Sequence, residues 1–115
     1  MVYDREKRYA IELKYPRNGQ YPEQMFMFIK DIKFMEEAKE QGFDKAFTFV
    51  LVDDPLFYRG NTPQTIYEYF RLGKIIEGTI RKPTGKKDEL VTLKKSYTIQ
   101  WSSLNNYYKY FLLEI

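Results

Sequence analysis

The chain has 115 residues, 43% of them hydrophobic and 30% charged, the size and balance of one packed globular domain rather than of a disordered or fibrous polymer. A formal charge of +3 leans toward an anionic partner without the dense basicity of a nucleic-acid coating protein. With no Cys and no His, the sequence excludes a Cys/His zinc site, a cysteine nucleophile, a Ser-His-Asp triad and a histidine base, which leaves carboxylates, Lys, Tyr, hydroxyls or a bound hard cation for any chemistry.

Val2 and Tyr3, followed by the charged run Asp4 to Arg8, read as the stub of a strand and a hairpin turn, so the chain is expected to begin in mid-element. Tyr9, Ile11, Leu13 and Tyr15 then alternate with Ala10, Glu12 and Lys14, the period of two of a strand whose apolar face is buried. Pro16 to Gln20 is a loop, and Pro22 with Glu23 opens a helix predicted to run to Gln41, closed by Gly42. Its apolar stripe is Met25, Phe28, Ile29, Ile32 and Met35, with Phe26 beside it, a core pattern rather than a binding box.

Ala46 to Val52 is almost wholly apolar and is predicted to be a strand buried on both faces, so that strand, helix and strand make a parallel βαβ unit. Asn61 to Pro63 caps a shorter helix ending near Leu72, and the remainder reads as β-rich: Ile75 to Ile80, a turn at Pro83 to Gly85, Tyr97 to Trp101, and Tyr107 to Ile115. The expected architecture is α/β with a mixed sheet, one long and one shorter helix, in a single domain spanning residues 1–115. The N-terminal stretch has no apolar run of signal-peptide length, and no segment reaches the ~20 apolar residues of a membrane span, so a cytoplasmic location is expected.

Glu12 and Lys14 lie two apart on a strand and so leave the same face, roughly 6.7 Å apart at their Cα atoms. A carboxylate and an ammonium held this way suit a hard divalent cation, an oriented water and a phosphate, which is the chemistry of phosphodiester hydrolysis. Taken alone, E-x-K is also what a solvated face of any strand rich in Glu and Lys carries. Asp53 and Asp54 end the apolar strand where α/β folds place ligands, or else form an ordinary strand-to-loop transition. Arg81, Lys82, Lys86, Lys87, Lys94 and Lys95 flank a Gly-containing turn and form a candidate phosphate-binding hairpin. Tyr58, Arg59, Tyr107, Tyr108 and Tyr110 are candidates for stacking on bases or on a protein.

The segment Tyr-Ala-Ile-Glu-Leu-Lys-Tyr-Pro, followed by a helix and a buried apolar strand, resembles the central part of the PD-(D/E)XK nuclease superfamily over roughly Val2 to Asp54. The resemblance implies a restriction-endonuclease-like fold acting on DNA with Mg²⁺, or Mn²⁺ in its place. It also implies Glu12 as metal ligand and Lys14 as water-orienting base or electrostatic aid. The superfamily has a Pro-Asp on the preceding strand and a helix before it, and neither is present, so the chain is expected to be a fragment or a degenerate, inactive relative. Asp4 is the available substitute ligand, though its place in a turn suits a backbone-bonding Asp equally well. Gln24, early in the long helix, matches a polar helix position used by some members. The alternative is a non-catalytic module that binds nucleic acid or protein. Sheet surface left open by the missing elements would be covered by pairing into a homodimer.

Overall fold

Helix α1 spans Tyr21–Glu40, within a residue of the predicted bounds, in the computed structural model, which describes residues 7–17, 19–63 and 65–115. Met25, Phe26, Phe28, Ile29, Ile32 and Met35 are all buried, so the stripe read from spacing is the helix's packed face. Fully burying such a side chain contributes on the order of 1.5–3 kcal/mol, which outweighs the small differences in helix propensity. No side chain caps the N-terminus, and at the other end Gly42 turns the chain away with φ 106°.

Strand β1 (Tyr9–Lys14) and β2 (Lys45–Val52) flank α1 in the chain and pair in parallel, Glu12 with Thr48 and Lys14 with Val50. The predicted βαβ unit is therefore present. Strand β6 (Lys109–Glu114) lies antiparallel on the other side of β2, and the short β5 (Ser102–Ser103) pairs with β6, giving a four-stranded mixed sheet in the order β1-β2-β6-β5. A separate hairpin of β3 (Ile76–Arg81) and β4 (Leu90–Tyr97) packs against α1, where Glu36 bonds to β4. At Gly78 the hairpin register shifts, and its φ of 71° is one that a residue with a side chain adopts only under strain. Helix α2 (Thr65–Arg71) and a single 3-10 turn at Pro55–Phe57 close one end, where Phe28, Phe57, Phe70, Phe111 and Trp101 form an aromatic core.

Several expectations are overturned. The apolar face of β1 is not buried: Tyr9, Ile11 and Leu13 are 60%, 53% and 65% exposed, and Ala10, Glu12 and Lys14 turn toward α1. Register is the cause. Ala46, Thr48, Val50 and Val52 form the β2 face beneath the helix, and their pairing partners in β1 must take the same face. For the same reason β2 is fully buried on one side only, with Phe47, Phe49 and Leu51 half-buried on the other.

The charged stretch Arg81–Lys95 contains most of β4, whereas Thr98 to Trp101 is not strand. Val91, Leu93 and Tyr97 are buried, so lysines between them decorate the open face of a true strand. The proposed hairpin at the chain start falls largely on residues 1–6, outside the described residues, as does Asp4. Among the described residues, no helix is long and apolar enough to cross a membrane.

Candidate functional site

Glu12 and Lys14 do leave the same face of β1, and α1 lies across that face. The helix brings Asp31, a residue the sequence reading passed over. Lys14 Nζ stands 3.5 Å from Asp31 Oδ2, with the two side chains 26% and 15% exposed. Burial pushes the Asp31 carboxyl up to about 6; Lys14 pulls it back down, and the charge of Glu12 adds to the upward push.

At 3.5 Å the ammonium is too distant for a good hydrogen bond, and Asp31 Oδ2 is buried without one. The second such atom among the described residues is Thr48 Oγ1, on the residue paired in register with Glu12. Both buried, unpartnered side-chain oxygens thus belong to residues on the β1–β2 face beneath α1 or on α1 itself. Each orphan of this kind costs about 1–3 kcal/mol, and such atoms mark places where water or an ion completes the site. Asp31 also lines a surface groove of about 350 Å³ with Met27, Lys30, Lys33, Phe34, Glu37 and Val91, which gives the cluster an open side; Lys30 there is paired with Glu89 at 2.7 Å and Lys33 lies 4.0 Å from Glu36.

Gln24 lies seven residues before Asp31 on the same helix face, about 10.5 Å along the axis, too far to bond the same ligand atom. Asp53 and Asp54 have structural partners. Asp53 accepts from the Tyr15 hydroxyl at 3.0 Å; Asp54 accepts from the Tyr21 hydroxyl and from the Leu56 N–H that opens the 3-10 turn. Tyr58 packs against Trp101 and Tyr110 stacks on Phe49, which leaves Tyr107, at 76% exposure, as the most open of the four candidate tyrosines.

The basic hairpin is gathered more tightly than its sequence suggested. Arg81, Lys82 and Lys87 line a cleft of about 500 Å³ together with Thr65, Tyr69 and Thr79, between α2 and the hairpin. The Arg81 guanidinium donates to the Lys87 carbonyl at 2.8 Å, which fixes the turn, and Lys82 sits 3.9 Å from Glu89. Lys86 does not line this cleft. Replacing Arg81 and Lys87 together by Ala is expected to weaken binding to a DNA oligonucleotide about tenfold at low salt and to flatten its salt dependence, whereas Lys86→Ala alone does neither. Fluorescence anisotropy across a salt series checks this, and equal losses from both variants would remove the cleft from the interface.

Among the described residues, no group of three or more acidic side chains gathers in a way that could hold a metal ion. The cluster instead offers two carboxylates, a neighbouring ammonium and a buried hydroxyl. Asp31 and Thr48 were hidden for different reasons. Asp31 follows Phe28 by three residues and precedes Met35 by four, so an acid on the border of the apolar stripe was the available signal. Thr48 reads simply as a strand former. Comparison of the chain with models of known families, with curated proteins and with solved structures finds no match.

Proposed function

We propose that this chain is a domain of the metal-dependent nuclease superfamily that engages DNA phosphodiesters at Glu12, Lys14 and Asp31. The supporting observation is the coincidence of the E-x-K pair with a buried acid whose Oδ2 lacks a hydrogen bond. Mg²⁺ binds through one or two carboxylates and keeps waters for its other positions, so the donor set of Glu12 and Asp31 fits it. When bound, the ion would supply Lewis-acid stabilisation of charge on the phosphate.

The chain's own residues divide the remaining work. Lys14, on a rigid strand, offsets phosphate charge and orients water. Asp31, its carboxyl raised to about 6 by burial, is ionised at neutral pH and so is a carboxylate that could hold the cation together with Glu12.

The test is a Mg²⁺ titration by calorimetry on the chain and on Glu12→Ala, followed by incubation with plasmid and single-stranded DNA. Glu12→Ala is expected to weaken Mg²⁺ binding about tenfold or more and, with Lys14→Ala, to abolish nicking. A second reading, a nucleic-acid-binding module without hydrolysis, is favoured by the basic cleft, which lies apart from Glu12 and Lys14. DNA affinity that depends on Arg81 and Lys87 and is indifferent to Mg²⁺ would select it over the first.

A further inference from the structure

The outer face of the four-stranded sheet, opposite α1, is apolar and open. Along β2 it reads Lys45, Phe47, Phe49, Leu51 and then Asp53, with Tyr9, Ile11 and Leu13 beside it on β1 and Tyr110, Leu112 and the exposed Glu114 on β6. Ile11, Leu13 and Leu112 are 53%, 65% and 55% exposed. We propose that a second copy of this chain covers this face, the two sheets related by a two-fold axis that passes at Phe49.

The charges on β2 select that occupant. Lys45 and Asp53 lie four residues to either side of Phe49 on the same side of the strand, and both are exposed. A two-fold axis in the plane of the interface and across the strands lays β2 antiparallel over its copy. Each Lys45 then stands over the partner's Asp53, twice per dimer, and the apolar residues between them face each other. The Tyr15 hydroxyl donates to Asp53 at 3.0 Å and leaves its negative charge in place. Along β2, ends of opposite charge about an apolar centre make the strand complementary to its own antiparallel copy, and Glu114 of each β6, level with Phe47, then faces the partner's Tyr110, as a closed isologous contact requires of every position.

Size sets the expected strength. Nine residues along β2 and six each along β1 and β6, at about 3.3 Å per residue and about 4.8 Å between strands, give on the order of 330 Å² in projection, a patch as large as a monomer ordinarily leaves open. It is smaller than the roughly 800 Å² per partner of a standard stable interface, so association is expected to be concentration-dependent, in the micromolar range. This surface is separate from the Glu12, Lys14 and Asp31 cluster on the other side of the sheet, and the two proposals stand or fall independently.

Sedimentation equilibrium on the intact chain, with circular dichroism to confirm folding, tests the proposal. The wild type should shift from one to two chains with rising concentration. Lys45→Asp and Asp53→Lys should each weaken dimerisation about tenfold or more, and the double variant Lys45→Asp/Asp53→Lys should return to within about threefold of wild type. Leu112→Lys, at an exposed position, should leave a folded monomer. A wild type that is monomeric throughout, a dimer indifferent to Leu112→Lys, or a charge swap that fails to restore pairing would each overturn it.

Discussion

Glu36→Ala is expected to lower the free energy of unfolding by about 3–5 kcal/mol, enough to leave a domain of this size marginal. Glu36 is 5% exposed and is one of the two buried polar residues among those described. Its carboxylate accepts the Lys94 N–H at 3.0 Å, the Lys95 N–H at 3.1 Å and the Tyr97 hydroxyl at 2.7 Å. These bonds fasten α1 to β4 and so hold the hairpin to the rest of the fold. Burial and the adjacent carboxylate push the Tyr97 hydroxyl up, so it stays protonated and remains a donor throughout the working pH range.

Truncation to Ala strands two backbone donors and a hydroxyl in a buried site, whereas Tyr97→Phe removes a single bond to a charged acceptor and should cost about 1.5–3 kcal/mol. Glu36→Gln should fall between, because its amide keeps one acceptor but turns two donors toward other donors. Urea unfolding of the three variants gives the ranking. A loss below about 1 kcal/mol for Glu36→Ala would mean that apolar packing alone seats the hairpin.

The same residue shows where the sequence was legible and where it was not. The stripe Met25, Phe28, Ile29, Ile32 and Met35 announced both the helix and its buried face, because spacing at the helical period is a local property. Glu36 sits on that stripe, four residues after Ile32 and seven after Ile29, yet an acid in the run Met-Glu-Glu reads as surface until its partners on β4 are known. Those partners lie 58 to 61 residues away in the chain. Strand β4 was itself concealed, since Lys94 and Lys95 drew attention from the alternation of Val91 and Leu93 with Thr92.

In β1 the period of two was read correctly but the buried side was assigned to the apolar residues, the wrong choice. Alternation alone does not say which face meets the helix; that is decided by register with β2, a long-range pairing. The E-x-K pair survived this error, because two residues two apart share a face whichever way the strand turns. Asp31 did not emerge, since its proximity to Lys14 is created by the helix crossing the sheet.

Asp31→Asn is expected to stabilise the fold at pH 8 by about 1–2 kcal/mol, with the gain vanishing near pH 4. The sign follows from linkage. The Asp31 carboxyl is raised from 3.8 to about 6 in the folded chain, chiefly by burial. Between those values the folded state holds a proton that the unfolded state has released, so stability falls as pH rises through this window and is flat above it. The full shift would correspond to nearly 3 kcal/mol, and solvent screening of a half-buried site reduces it to the range given. The amide removes the ionic penalty at high pH; it also gives up the pairing with Lys14, which at 3.5 Å and partly exposed is worth under about 1 kcal/mol. Urea unfolding of wild type and variant at pH 4 and pH 8 measures both differences. Loss of stability at pH 8 would show that the Lys14 pairing outweighs burial and that Asp31 is held for structure. Stabilisation at pH 8 would mean that an ionised acid is kept there at a cost to the fold. Mg²⁺ should then raise the melting temperature of the wild type more than that of Asp31→Asn, since the variant keeps only the Glu12 carboxylate of the proposed donor set.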